Sequence, residues 1–159
     1  MKTKGILSLF MLIIILSTAC KKEKFQIDKD KDAIKEYLKV NNIEAIEKNN
    51  IFYTINKASE GEQCEVGDTV AVKYNLYALH KPDSLLEECQ DKAFIFTVGY
   101  GRVIRGWEYA LPIMKEGEIS RFYIPSALAY GNQEIAGKSY ANLIFDIELC
   151  EIKHRDKRH

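Results

Sequence analysis

The chain has 159 residues, of which 47% are apolar, and its 23 basic and 23 acidic side chains give a formal net charge of zero. This length suits one domain with a sizeable core, even after the first 20 residues are set aside. Those residues contain two lysines, so the remainder has a net charge of about −2, which argues against nucleic acid as the partner.

The beginning of the chain has the pattern of an export signal. Two lysines precede an almost wholly apolar run from Gly5 to Leu16, and small residues lead from there to Cys20. The run is shorter than the ~20 residues that a membrane-spanning helix needs. A cysteine directly after small residues resembles a bacterial lipoprotein site, so we expect cleavage before Cys20 and lipid on its thiol. The alternative is an ordinary signal peptide that is cleaved near Ala19.

Residues 21–50 are predicted to form a tether, a short helix and a strand. Lys21–Lys31 is rich in charge and poor in apolar residues, which indicates a solvated, flexible tether. From Asp30 or Asp32 as N-cap, apolar residues recur at helical spacing until Asn41. This pattern predicts one short amphipathic helix.

The rest of the chain alternates apolar and polar residues as strands do. Ile43–Ile46 and Ile51–Ile55 flank Asn49 and Asn50, which tolerate the positive φ of a tight hairpin turn. Further alternating runs begin at Val70, Phe94, Phe122 and Leu143. We predict an α+β fold, a twisted antiparallel half-barrel that wraps one short helix with one face and meets water with the other.

Three motifs in fixed order narrow this fold class. They are Gly99-Tyr-Gly-Arg-Val-Ile-Arg-Gly-Trp-Glu108, Ala127-Leu-Ala-Tyr-Gly131 and Leu143-Ile-Phe-Asp-Ile-Glu-Leu149. Pro112 limits the helix that carries Trp107 to a turn or two. From about Val66 to Ile152 the chain resembles the FKBP-type peptidyl-prolyl isomerases, since several motifs together are more specific than one. The resemblance implies an FKBP-like isomerase domain over residues 51–153, with a polar tail at 154–159.

The resemblance also implies a proline pocket with aromatic walls. Its base would be Val103, Ile104 and Trp107, with Tyr130 on the rim and Asp83 as the polar group at the edge. The catalytic residues implied in this way are Tyr74, Asp83, Phe94, Val103, Ile104, Trp107, Tyr130 and Phe145. Such a pocket needs no cofactor and no metal, because an apolar cavity disfavours the planar, dipolar amide more than the twisted transition state.

These features predict a peptidyl-prolyl cis-trans isomerase of the cell envelope, either a periplasm-facing or an outer membrane lipoprotein. Its partners would be proline-containing, unfolded or partly folded envelope proteins and, through the lipid, the membrane; we expect a monomer. Three departures from the family pattern, Pro82, Gln90 and a short loop at Asn132–Tyr140, leave an alternative open. In that alternative the domain is a peptide-binding chaperone or an assembly factor for an envelope complex, with weak or no isomerase activity.

Other kinds of site fit the sequence poorly. Cys64, Cys89 and Cys150 are an odd number and form no Cys-x-x-Cys unit, which disfavours redox catalysis and structural zinc. The three histidines lack the spacing of metal ligands.

Overall fold

The computed structural model describes the backbone of residues 3–155 and the side chains of residues 21–155. The predicted signal peptide with Cys20, and residues 156–159 of the predicted tail, therefore fall outside the described side chains. Among the described side chains, no helix is both long and apolar enough to cross a membrane. The elements are α1 (Thr3–Val40), β1 (Ile46–Lys48), β2 (Ile51–Lys57), β3 (Thr69–Ala78), β4 (Lys81–Thr97), α2 (Arg105–Ala110), β5 (Ile119–Ile124), β6 (Glu134–Ile135), β7 (Lys138–Ser139) and β8 (Leu143–Lys153).

The predicted antiparallel sheet around one short helix is confirmed. Six strands pair in the order β1-β2-β5-β8-β3-β4, while β6 and β7 form a separate small hairpin. Helix α2 lies against one face of the sheet and ends in a 3₁₀ turn that contains Pro112, as the sequence predicts. Gly106 allows this close packing, because a Cβ there would lie 2.4 Å from Cγ2 of Ile124 on β5.

The hairpin predicted around the two asparagines is also confirmed. Asn49 and Asn50 have φ values of 52° and 63°, and β1 pairs with β2 across them. Both residues have the left-handed backbone conformation that a two-residue turn needs to match the twist of its strands. The first strand begins at Ile46, later than the sequence pattern suggests.

Helix α1 departs from the prediction in its length. It ends at Val40, as predicted, but residues 21–31 are helical where we expected a flexible tether. No glycine or proline interrupts residues 21–40, and most of the side chains there favour helices. Asp30 is not an N-cap; it lies inside the helix, only 3% exposed, and bonds to Ser126 of the domain. Contact with the domain, which local charge cannot reveal, therefore decides the state of this segment.

The same helix covers part of the sheet face that was expected to meet water. Ile34 and Leu38 of α1 are buried against three residues of the sheet. These sheet residues are Phe52, Tyr123 and Ile144. The molecule therefore has a second, smaller apolar cluster on the opposite side of the sheet from α2.

The first two residues of the predicted polar tail are docked rather than solvated. His154 lies between two carboxylates, with Nδ1 3.0 Å from Oδ2 of Asp68 and Nε2 2.5 Å from Oε2 of Glu62. The backbone N–H of Arg155 also donates to Asp68. Asp68 is almost fully buried, and it provides the partner that the sequence alone did not suggest.

The three cysteines with described side chains are free thiols. Cys64 is buried, and burial with nearby acidic groups raises its pKa to about 12. Cys89 and Cys150 are half-buried. A buried thiol with so high a pKa remains protonated near neutral pH, which suits a small core residue.

Candidate active site

A cavity of about 390 Å³ opens beside α2, at the face of the sheet that this helix covers. Strands β3, β4 and β8 supply its walls, together with the loop before α2 and the segment before β6. The lining residues are Tyr74, Glu87, Phe94, Arg102, Val103, Ile104, Trp107, Tyr130 and Phe145. The structure thus brings together seven of the eight predicted site residues, and only Asp83 is not among them.

Trp107 forms the centre of an aromatic cluster in the cavity. Its ring is 4% exposed and meets Tyr74 edge-on at 5.0 Å and Phe145 at 5.3 Å between ring centroids. Phe96 packs against it from β4, and Phe94 does so from the cavity wall. Edge-to-face contacts of this kind fix ring orientations. The indole Nε1–H is buried and has no hydrogen-bond partner within the described residues.

The loop before α2 is held by a carboxylate of the helix itself. Glu108 accepts hydrogen bonds from the backbone N–H groups of Gly99 and Gly101, the second at 2.8 Å. Both glycines have positive φ, which only glycine adopts readily. This arrangement positions Val103 and Ile104 at the cavity and leaves Arg102 exposed at its edge.

A carboxylate and a phenol form the polar side of the cavity. The Tyr74 hydroxyl donates to Oε1 of Glu87 at 2.5 Å. Burial raises the pKa of Tyr74 well above its usual range, and Glu87 raises it further, so the phenol stays a donor at neutral pH. Gln90 donates to the carbonyl of Tyr74 at 3.1 Å and to the side chain of Asn75 at 3.0 Å. Gln90, one of the three departures from the family pattern, thus links β4 to β3.

Glu87 occupies the place that the sequence reading assigned to Asp83. Asp83 is exposed and does not line the cavity. The pairing of β3 with β4 shifts register between Leu76 and Tyr77, and again after Tyr77. Each bulge changes which side of the strand a residue occupies, so counting along the sequence cannot say which carboxylate reaches the pocket.

Tyr130 reaches the rim from a segment with its own support. A 3₁₀ turn at Ser126–Leu128 precedes it, and the N–H of Gly131 bonds back to the carbonyl of Ser126 at 2.8 Å. Asp30 of α1 accepts bonds from the Ser126 hydroxyl at 2.6 Å and the Ala127 N–H at 3.2 Å. Burial raises the pKa of Tyr130, as does the nearby Glu87, so this hydroxyl is also a donor.

The short loop at 132–140 contributes no residue to the lining of the cavity. It contains the β6–β7 hairpin, and the carbonyl of Ala136 accepts a bond from Lys81 at 2.9 Å. Ile135 packs against the main core. The sequence showed that this loop is short, but it did not predict Glu87 and Arg102 as lining residues. Glu87 depends on the register of β4 with β3, and Arg102 depends on the geometry of the loop before α2.

The arrangement can hold an apolar group beside a few hydrogen-bond donors. Its walls are aromatic and aliphatic, and Glu87, Arg102 and the hydroxyls of Tyr74 and Tyr130 are its polar groups. A cavity with such walls can shield part of a bound molecule from water.

Comparison with known proteins agrees with a site of this kind. Residues 60–150 match the family described as FKBP-type peptidyl-prolyl cis-trans isomerase. Because this match covers more than half of the chain, the protein belongs to that family. FK506-binding protein 4 of Mycosarcoma maydis is 36% identical over 98 residues, which are 60% of this chain and 26% of the relative. Human peptidyl-prolyl cis-trans isomerase FKBP2 is 41% identical over 68 residues, which are 42% and 48% of the two chains.

A solved structure shows the same fold over a longer stretch. The crystal structure of the peptidyl-prolyl cis-trans isomerase from Pseudomonas syringae pv. tomato str. DC3000 matches with a TM-score of 0.65 and 22% identity. The match covers 80% of this chain and 96% of that one. At this identity the likeness concerns the fold, whereas the curated relatives share sequence with about a quarter to a half of their own length.

Proposed function

We propose that this protein catalyses cis-trans isomerisation of X-Pro bonds and thereby assists the folding of exported envelope proteins. The observation that carries the proposal is the aromatic cavity with Trp107 at its centre. Its occupant would be a prolyl ring, which is apolar and would pack against the aromatic walls.

The chemistry follows from the amide bond. Resonance makes the C–N bond partly double and sets a rotation barrier of ~18–20 kcal/mol. Rotation removes this resonance, so the twisted amide is less dipolar than the planar one. A cavity that excludes water would destabilise the planar state relative to the twisted one, and Tyr130, which lines the cavity, would donate its hydroxyl to a substrate carbonyl.

A protease-coupled assay on short proline peptides tests the enzyme claim. We expect a rate above the uncatalysed rate that rapamycin suppresses, because the drug would occupy the same cavity. A folded protein without any rate above background, for every residue placed before proline, would remove the claim.

The second candidate is a peptide-binding chaperone or assembly factor of the same fold. Glu87 favours it, because a carboxylate in the cavity makes the walls more polar than aromatic residues alone would. Fluorescence of Trp107 reports binding independently of turnover. Saturable binding of proline peptides without isomerisation would support this candidate over the first.

The envelope location is part of the proposal and rests on the sequence around Cys20. Expression in a bacterial host with labelled palmitate should place label on the wild-type protein and none on Cys20→Ala. The wild type should fractionate with membranes and the variant should not. A protein cleaved near Ala19 and free of lipid would instead support an ordinary signal peptide. We further propose that the domain acts as a monomer. Sedimentation in the analytical ultracentrifuge measures its mass in solution and tests this.

A further inference from the structure

A second hollow of about 690 Å³ adjoins the candidate active site. It shares Phe94 and Arg102 with the active-site cavity, so the two lie side by side. The hollow is lined by Phe94, Ile95, Phe96, Thr97, Tyr100 and Arg102. A peptide whose proline sits near Trp107 can therefore extend its neighbouring residues over this hollow.

The hollow exposes apolar side chains that nothing in the described residues covers. Ile95 is 62% exposed and Tyr100 is 63% exposed, and both lie beside the partly exposed Phe94. Scattered exposed apolar residues are ordinary, but here they lie beside a binding cavity. This proximity favours the flanking part of the same bound peptide as the occupant.

Arg102 is the charged group at the junction of the two hollows. It is exposed and makes no hydrogen bond or ion pair within the described residues. The carboxylates on neighbouring elements already have partners: Glu87 binds the Tyr74 hydroxyl, and Glu108 binds two backbone N–H groups. A guanidinium offers a planar pair of donors that matches a carboxylate.

From this placement we infer that the second hollow is a substrate subsite with a preference for an acidic side chain within two residues of the proline. Arg102 is the specificity-determining residue of this subsite, and the apolar walls receive the stem of the side chain and its neighbour. The inference rests on the proposed function insofar as the bound chain is a proline peptide.

Binding is measured by Trp107 fluorescence on a set of hexapeptides with one central proline. Glutamate, lysine or leucine is placed in turn at each of the two positions on either side of it. We expect wild type to bind the best glutamate peptide about two- to fivefold more tightly than its lysine counterpart at low salt, the range for an exposed ion pair. Arg102→Glu should reverse this order, and Arg102→Gln should abolish it.

The matched control is Lys57→Glu, which makes the same change of charge at an exposed position on β2. This strand lies toward the opposite edge of the sheet from β4. This variant should bind the glutamate and lysine peptides with the same ratio of affinities as wild type. A ratio that Arg102→Glu does not change, or that Lys57→Glu changes equally, overturns the inference. Thermal unfolding of each variant verifies that it is folded.

Turnover on the same peptides separates this inference from the proposed function. Binding with the expected charge preference but no isomerisation would support the subsite and defeat the enzyme claim. Isomerisation without a charge preference at any position would support the enzyme claim and defeat the subsite. Absence of binding to every peptide would overturn both.

Discussion

The two faces of the sheet use apolar burial in different ways. On one face, α2 and the sheet surround aromatic rings but leave a cavity of about 390 Å³ open beside Trp107. On the other face, Ile34 and Leu38 of α1 pack against the sheet and leave no such opening between them, and hydrogen bonds to the buried Asp30 hold the helix on the domain. The open face therefore retains a cavity that a ligand can enter, whereas the apolar cluster on the other face is filled and stabilises the fold.

The largest effect should come from Trp107→Ala. Removing a buried indole costs about 3–5 kcal/mol of unfolding free energy and takes away the base of the cavity, so turnover should be lost as well. Urea unfolding and the proline-peptide assay measure the two effects.

Ile34→Ala is the matched control on the closed face, where Ile34 is fully buried. It should cost about 2–5 kcal/mol while the folded fraction keeps its kcat/KM. Equal loss of turnover in both variants would contradict the division between the two faces.

The next largest effect should come from Asp30→Ala. Its carboxylate accepts from the Ser126 hydroxyl, the Ala127 N–H and the Gln26 amide. Removing it leaves buried donors unpaired, which should lower the free energy of unfolding by about 2–3 kcal/mol. Hydrogen exchange of residues 21–30 should accelerate in the variant. Asp30→Asn retains one acceptor and should fall between wild type and alanine. Unchanged unfolding would mean that α1 is not docked.

Tyr130→Phe should have a smaller effect, confined to the open face. A rim hydroxyl contributes about 1 kcal/mol to transition-state binding, so kcat/KM should fall roughly fivefold. Stability should change little, since this side chain is 37% exposed. A variant that unfolds would show that the tyrosine supports the core instead of the rim.

The smallest effect is a pH dependence at the end of β8. The hydrogen bond to Glu62, and then that to Asp68, raises the pKa of His154 above its usual value. The stability from this pairing is therefore fully present below the unfolded pKa of about 6.5 and is lost as pH rises through the folded pKa. The difference in unfolding free energy between wild type and His154→Gln should shrink from pH 5.5 to pH 9. A difference that grows with pH would contradict the pairing.

Asp68 has the opposite dependence. Burial alone would raise its pKa, but bonds from Glu65, Arg155 and His154 outweigh burial and lower it. Its contribution is present above the unfolded pKa of about 3.9 and is lost as pH falls through the folded value. The free energies of unfolding of Asp68→Asn and of wild type should therefore converge in acid, which urea unfolding at a series of pH values measures.

Local patterns in the sequence determined the strands and the short helix. Alternation at Val70 and Leu143, the turn at Asn49 and Asn50, and the stop at Pro112 are local properties, because turn φ and side-chain period depend on a few consecutive residues. The resemblance of the three ordered motifs to the family, and not any local pattern, supplied Trp107 and the six other predicted residues that line its cavity.

Only the tertiary structure decided which carboxylate enters the cavity and whether residues 21–31 dock on the domain. Glu87 replaces Asp83 because bulges between β3 and β4 set the register, and bulges depend on the pairing of two strands. The charged segment before Asp30 consists largely of side chains that favour helices, and it is docked because Ser126, distant in sequence, supplies a buried partner to Asp30. Both outcomes depend on contacts between residues far apart in the chain, which no local window of sequence contains.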